Sequence, residues 1–177
     1  MRNPLDVCVS FSHHLGRSLD ETVAIMANED FCLHRAGPNW RPSMTERLAS
    51  WSTHVKSWVD NRQLPTLVLR YEDLLDDTAG TFGKALAFLG LDIPPERMAR
   101  AIAFSSFESL QRQEQNSGFR EKSTRSHNFF RQGKKEGWRD RLSRAQINAL
   151  QHAHGELMEE LGYSAADSRA HDCIEPA

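Results

Sequence analysis

Apolar residues recur at helical spacing in several short stretches of the chain. Residues 4 to 15 are predicted to form a helix, because Asn3 is a favourable N-cap, Pro4 suits the first helical position and Gly16 suits the end. A shorter helix is predicted from Asp20 to Ala27, within an otherwise irregular stretch rich in Gly and Pro.

A further amphipathic helix is predicted after the capping box Ser43-Met44-Thr45-Glu46. Its apolar stripe consists of Leu48, Trp51, Val55, Trp58 and Val59. The helix is expected to end near Asn61. The spacing places Trp51, His54 and Trp58 on one buried face, so we interpret these three residues as structural.

The segment Thr66-Leu67-Val68-Leu69-Arg70 is the one convincing strand in the pattern. Its continuous apolar run predicts burial on both faces, as in a parallel sheet. Such a strand needs neighbours on both sides, and the sequence does not supply them. We therefore expect that this chain lacks the N-terminal part of its domain, which would supply the neighbouring strands. We also expect helices to dominate in the portion that is present.

The second half of the chain is predicted to be mostly helical. Asp77 can cap a helix that ends at Gly90, Pro94-Pro95-Glu96 begins another, and Ser105 to Glu108 resemble a cap and first turn. Inward-facing side chains of the Asp77 helix are predicted to be Phe82, Leu86 and Leu89.

A second capping box, Ser143 to Gln146, predicts the last helix. One face of this helix carries Ile147, Leu150, His154, Leu157 and Leu161. His154 is therefore interpreted as a core histidine. Residues 1–163 are predicted to form one folded unit, and residues 164–177 a flexible tail.

Positive charge is concentrated in the long aperiodic stretch from Asn116 to Trp138 and just beyond it. Eight Lys and Arg side chains lie between Arg120 and Arg141, although the whole chain has a net charge of −2. A solvated surface loop and a binding site for an anionic ligand both remain open for this segment.

Composition excludes several classes of function. The 177 residues are 39% hydrophobic and 26% charged, and the bulk charge favours no nucleic acid. No run is long enough to span a membrane. Three widely spaced cysteines predict reduced thiols in the cytoplasm. The pairs His13-His14 and His152/His154 lack neighbouring Cys or carboxylate ligands, so no metal is expected.

Five stretches in order carry a resemblance to a known family. They are Arg2-Asn3-Pro4-Leu5-Asp6-Val7 with Ser10, Trp51 to Trp58, Leu69-Arg70-Tyr71-Glu72-Asp73-Leu74, Ser105-Ser106-Phe107, and Phe129-Phe130-Arg131-Gln132-Gly133 with Gly137-Trp138. Together they resemble the C-terminal portion of a cytosolic-type sulfotransferase. That family moves a sulfuryl group from 3′-phosphoadenosine 5′-phosphosulfate (PAPS) to a hydroxyl or amine and leaves adenosine 3′,5′-bisphosphate (PAP). The resemblance implies a P-loop-NTPase-like α/β fold, here reduced to few parallel strands.

The resemblance also implies a nucleotide site. Arg2, Ser10 and the Arg131-Gln132-Gly133 segment would hold the 3′-phosphate, with Gln132 standing where Lys is usual. Tyr71, Ser106 and Phe107 would contact the adenine. The family's catalytic histidine and its 5′-phosphosulfate loop with a Lys belong upstream of Arg2, so no catalytic residue is assigned in residues 1–177.

We therefore expect a chain that supplies the 3′-phosphate and adenine half of a sulfotransferase and is inactive alone. Two alternatives stay open: a non-catalytic PAP-binding or partner-completed module, and a nucleotide kinase relative. Expected partners are the nucleotide and a small-molecule acceptor that the sequence does not identify. The residues after Trp138 differ from the family's dimerisation pattern, so that mode of dimerisation is not expected. A homo-oligomer of another kind and a complementing chain both stay open as partners.

Overall fold

The computed structural model describes residues 1–33, 46–61, 63–120, 122 and 128–163, and all structural statements below concern these residues. The described residues form eight helices and one small sheet. The helices are α1 (Pro4–Leu15), α2 (Leu19–Met26), α3 (Trp51–Val59), α4 (Tyr71–Asp76), α5 (Thr78–Phe88), α6 (Pro95–Phe104), α7 (Phe107–Ser117) and α8 (Arg144–Glu160). The strands are β1 (Cys32–Leu33) and β2 (Glu46–Arg47), which pair antiparallel.

Helix α1 begins and ends where its capping residues predict. The Asn3 side chain accepts a hydrogen bond from the Leu5 N–H, and Gly16 adopts a left-handed conformation that closes the helix. Helix α2 has a capping box of Ser18 and Glu21. The predicted capping box of α8, formed by Ser143 and Gln146, is also present. The predicted caps of α1 and α8 are confirmed because each depends on a few adjacent residues, whereas the capping box of α2 was not predicted.

The core lies where α1, α2, α3 and α8 pack against one another. Its buried side chains are Leu5, Cys8, Val9, Met26, Trp51, Val55, Trp138, Leu142, Ile147, Leu150, Leu157, Met158 and Tyr163. His154 is 2% exposed on the same face of α8, as predicted, and its Nδ1 lies 2.9 Å from the Ser52 hydroxyl. Burial raises the pKa of the Cys8 thiol to about 11, so this cysteine stays protonated.

The predicted beginning of α3 is wrong. Glu46 and Arg47 belong to β2, and the helix begins at Trp51 behind the cap Ser50, whose hydroxyl accepts from the Thr53 N–H. Ser43 to Thr45 lie outside the described residues. The shared burial of Trp51, His54 and Trp58 is also wrong, because Trp58 is 64% exposed and His54 is exposed.

The predicted strand at residues 66–70 is not part of a sheet among the described residues. Leu67 is 36% exposed and Val68 is 40% exposed, which corrects the expectation of burial on both faces. One end of the segment is nevertheless paired. The Met1 ammonium group donates to the Leu69 carbonyl, and the Tyr71 N–H donates to the Met1 carbonyl at 2.7 Å. This is the bonding pattern of a parallel strand pair.

Helices α4 to α7 follow one another and pack in series. Their outer faces are apolar in places, with Phe88 46%, Leu89 64% and Phe104 71% exposed. The predicted inward position of Leu89 is therefore wrong. No helix in the described part of the chain is both long enough and apolar enough to cross a membrane. The predicted tail at 164–177 lies outside the described residues.

Candidate nucleotide site

A cavity of about 910 Å³ opens between α1, helices α4 and α5, the α6–α7 junction and the segment 128–137. The eight residues that the sequence predicted for the site all line this one cavity. They are Arg2, Ser10, Tyr71, Ser106, Phe107, Arg131, Gln132 and Gly133. The fold therefore brings together residues from four separate stretches of the sequence.

Arg2 lies at the entrance to α1, between the segment after Arg131 and the first residue of α4. Its Nη2 donates to the Lys134 carbonyl at 2.8 Å, and its guanidinium carbon lies 4.4 Å above the centre of the Tyr71 ring. The cation–π contact restrains the side chain without neutralising it. The Arg2 side chain is 28% exposed, so its charge is available to the cavity.

Asp6 joins helix α1 to the end of the same segment. Its carboxylate is 3% exposed and accepts from two backbone N–H groups, those of Glu136 at 2.8 Å and Trp138 at 3.1 Å. It also lies 3.9 Å from Arg2 Nη2. Burial raises the pKa of Asp6, although the two N–H donors and Arg2 act in the opposite direction.

Glu114 of α7 binds the backbone at the beginning of the segment 128–137. Its two carboxylate oxygens accept from the Phe129 N–H at 2.7 Å and from the Phe130 N–H at 2.9 Å. These backbone donors lower the pKa of Glu114. On the same helix, the Gln111 side-chain amide donates to the Phe130 carbonyl at 3.2 Å.

Positive charge accumulates on one wall of the cavity. Burial, and then the positive charges of Arg141 and Arg2, lower the pKa of Arg131. An arginine nevertheless stays protonated in a protein, so these guanidinium groups repel one another. Burial and the charges of Arg131 and Arg141 also lower the pKa of His13, which lines the same cavity. An anion placed here would relieve the repulsion.

Aromatic rings also line the cavity. Phe107 meets Phe130 edge to face, with 6.5 Å between ring centres. Gly133 has a φ of +59°, and a Cβ atom added to it would lie 2.4 Å from Phe107 Cδ2. Gly133 therefore lets the backbone approach the ring, and its left-handed conformation suits glycine.

Ser106 has a structural contact within the cap and first turn that the sequence predicted over Ser105 to Glu108. It is the N-cap of α7, and its hydroxyl accepts from the Ser109 N–H at 3.3 Å. The same oxygen lies 2.9 Å from the Ser109 hydroxyl. The capping contact places Ser106 and Phe107 together at the cavity wall.

The two lysines after Gly133 differ in their surroundings. Lys134 lines the cavity, so its charge can add to that of the two arginines. Lys135 forms an ion pair with Asp76 at the end of α4, and this contact raises its pKa. Of the two, Lys134 is therefore better placed to offset the missing charge at Gln132.

Sequence reasoning missed the contacts of Asp6 and Glu114 and the position of His13. Asp6 was explained by its position in the first turn of a helix, where an acidic residue is favourable, so no distant partner was expected. Glu114 gave no signal at all, because its partners follow fifteen and sixteen residues later. Among the described residues, no group of three or more His, Cys, Asp or Glu side chains is arranged to hold a metal ion.

Comparison with known proteins identifies sulfotransferases among its relatives. The family model described as "Sulfotransferase domain" matches residues 1–162. A 3-alpha-hydroxysteroid sulfotransferase of Cavia porcellus is 32% identical over 114 residues, which are 62% of this chain and 39% of that protein. Sulfotransferase 2A6 of Rattus norvegicus is 28% identical over 162 residues, which are 89% of this chain and 55% of that protein. The chain thus spans about half the length of such relatives, or less.

Solved structures share the fold. Mouse sulfotransferase SULT7A1 complexed with PAP superimposes with a TM-score of 0.70 at 21% identity, over 96% of this chain and 61% of that chain. Retinol dehydratase in complex with androsterone and the inactive cofactor PAP gives a TM-score of 0.65 at 21% identity, over 99% of this chain and 48% of that chain. The helix-rich arrangement described above is thus that of a sulfotransferase fold. Because the family model matches nearly the entire chain, the protein belongs to the sulfotransferase family.

Proposed function

We propose that this chain binds the 3′-phosphate and adenine end of PAPS, and of its product PAP, in the cavity beside α1. One observation carries the proposal: Arg2 and Arg131, which are far apart in the sequence, line a single cavity with Ser10 and the aromatic residues Tyr71 and Phe107. Paired guanidinium groups beside aromatic rings suit a ligand that has both a phosphate and a purine base.

The proposed contacts follow from the chemistry of each side chain. Arg2 and Arg131 would donate charge-assisted hydrogen bonds to the phosphate oxygens, and Ser10 would add its hydroxyl. Gln132 can donate a hydrogen bond but brings no charge. Tyr71 and Phe107 would contact the base, and Gly133 would leave its backbone accessible to the phosphate.

In the complete reaction, PAPS supplies the sulfuryl group that a hydroxyl or amine acceptor receives. The residues of this chain would bind the remote end of the nucleotide and so orient its reactive end. The family's catalytic histidine and phosphosulfate-loop lysine have no counterpart motif in residues 1–177. We therefore propose that this chain does not transfer sulfuryl groups alone, and turnover by the purified chain would contradict this.

A second candidate function is a module completed by another polypeptide segment. The Met1 backbone pairs with Leu69 and Tyr71 in the parallel pattern, and the apolar Leu67 and Val68 beside them are partly exposed. A strand supplied from elsewhere could continue this pairing along residues 66–69. In that case the chain binds PAP as part of a larger assembly and carries no activity of its own.

The proposed function is tested by calorimetric titration of the folded chain with PAP, AMP and ATP. AMP lacks the 3′-phosphate, so PAP should bind at least about tenfold more tightly, since a charge-assisted hydrogen bond contributes roughly 1.5–3 kcal/mol. Equal affinities for PAP and AMP would refute a 3′-phosphate site. A preference for ATP would favour a nucleotide kinase relative instead.

A further inference from the structure

The segment Arg131–Lys135 is fixed at both of its ends by a carboxylate that accepts from two backbone N–H groups. Before it, Glu114 Oε1 and Oε2 accept from Phe129 and Phe130 at 2.7 Å and 2.9 Å. After it, Asp6 Oδ2 and Oδ1 accept from Glu136 and Trp138 at 2.8 Å and 3.1 Å. Both carboxylates are at least nine-tenths buried.

We propose that Asp6 and Glu114 are positioning residues for the anion site: by holding the two ends of the segment 131–135 they keep Arg131 in the same cavity as Arg2. This inference rests on the proposed 3′-phosphate site. Neither carboxylate would touch the nucleotide; each would act through the backbone that carries Arg131. The two residues lie on α1 and α7, so the segment is tied to two separate helices.

The geometry requires a carboxylate at both positions. Each residue uses both of its oxygens, one for each N–H group. An amide side chain offers one oxygen and one NH₂ group, so an N–H group would face another donor and lose its partner. A buried donor without a partner is costly, and the backbone on that side is expected to move.

Charged neighbours differ between the two anchors. Asp6 Oδ2 lies 3.9 Å from Arg2 Nη2, and the negative charge of Glu72 on α4 acts to raise the pKa of Asp6. Glu114 feels the positive charge of Lys122. Asp6 therefore connects the anchor directly to one of the two arginines of the site, whereas Glu114 anchors the segment without contacting either arginine.

The first experiment needs no ligand. Amide hydrogen exchange, followed by NMR, is compared for wild type, Asp6→Asn and Glu114→Gln. We expect exchange to become at least about tenfold faster at Glu136 or Trp138 in the first variant and at Phe129 or Phe130 in the second. Amides in the core helix α8 serve as the internal control for global stability. Unchanged protection of all four amides would overturn the proposal.

The second experiment titrates the same variants with PAP and AMP. Both variants are expected to bind PAP about tenfold or more weakly while their affinity for AMP changes little, because only the 3′-phosphate contacts depend on Arg131. Glu108→Gln, on the exposed side of α7, and Asp140→Asn, which is exposed, are the matched controls and should bind PAP as the wild type does.

The outcomes separate this inference from the proposed function. Wild-type affinity for PAP over AMP tests the site itself, whereas amide exchange tests the anchors whether or not a ligand binds. If the wild type prefers PAP and both amide variants retain that preference, the positioning role is wrong and the site stands. If Asp6→Asn fails to fold, Glu114→Gln alone decides, since its anchor lies outside the core cluster of α1 and α8.

Discussion

The backbone of Gly133 lies directly against the ring of Phe107. A Cβ atom at position 133 would stand 2.4 Å from Phe107 Cδ2 and 2.7 Å from Cγ, and the glycine has a φ of +59°. The residue that ends the Arg131-Gln132-Gly133 segment is thus fitted to the aromatic residue that begins α7. The anion-binding and base-binding parts of the proposed site cannot move independently.

Replacement of Gly133 by Ala should therefore displace the segment from Phe107. Gly90→Ala is the matched control, because Gly90 has a similar φ of +67° but open space around its Cβ position. The left-handed conformation alone costs about 1–2 kcal/mol in a non-glycine residue. We expect both variants to lower the melting temperature and only Gly133→Ala to weaken PAP binding. Equal PAP affinity in the two variants would contradict the proposed role of this contact.

Removal of either guanidinium group should weaken PAP binding selectively. Arg2→Ala and Arg131→Ala are each expected to lose roughly 1.5–3 kcal/mol, the contribution of a charge-assisted hydrogen bond. AMP binding should change little. Arg97→Ala, an exposed arginine on α6, controls for the loss of one positive charge. Calorimetric titration measures the PAP affinity of all three variants. An equal loss of affinity in Arg97→Ala would mean that PAP is attracted by net positive charge and not by a specific site.

Acid should release the anchor at Glu114. Its pKa is lowered in the folded protein by the Phe129 and Phe130 N–H donors. A carboxyl group with a lowered pKa stabilises the fold above its ordinary pKa, and that stabilisation is lost as the pH falls through the folded value. NMR shifts of the two amides should follow this titration in the wild type. In Glu114→Gln the titration should be absent, whereas in Glu108→Gln it should persist.

His154 predicts a separate loss of stability in mild acid. Burial lowers its pKa, so the folded state holds the neutral ring that contacts Ser52 at 2.9 Å. The unfolded chain takes up the proton more readily, so stability should fall as the pH drops below about 6.5. Thermal unfolding between pH 7.5 and 5.5 measures this slope. It should flatten in His154→Gln and persist in His152→Gln, whose side chain is exposed.

Local sequence patterns were sufficient to predict most helices and insufficient for the contacts between them. Asn3, Asp77 and Ser143 cap the helices that they were expected to cap, since capping depends on three or four adjacent residues. The segment 66–70 was misjudged because an apolar run indicates a capacity for burial and not the presence of a neighbour. Trp58 was misjudged for a similar reason: it lies on the apolar stripe of α3, but the core does not cover its side chain, which is exposed.

The candidate site was predicted through its motifs and not through its geometry. Arg2 and Arg131 were both identified, yet nothing in the sequence indicated that Asp6 and Glu114 would hold the backbone around Arg131. Hydrogen bonds from a side chain to distant backbone groups leave no periodic trace, because the partner is any residue with an N–H group. Such contacts are identified only from the three-dimensional structure.

The bond between Asp6 and the Trp138 N–H joins residues that are 132 positions apart. During synthesis, helix α1 leaves the ribosome long before its partner in the segment exists. The cavity can therefore close only after the chain has been made as far as Trp138, and earlier products would present Asp6 and Arg2 without the residues that complete the site. Nucleotide binding by growing chains would thus report that the segment 128–137 has packed onto α1.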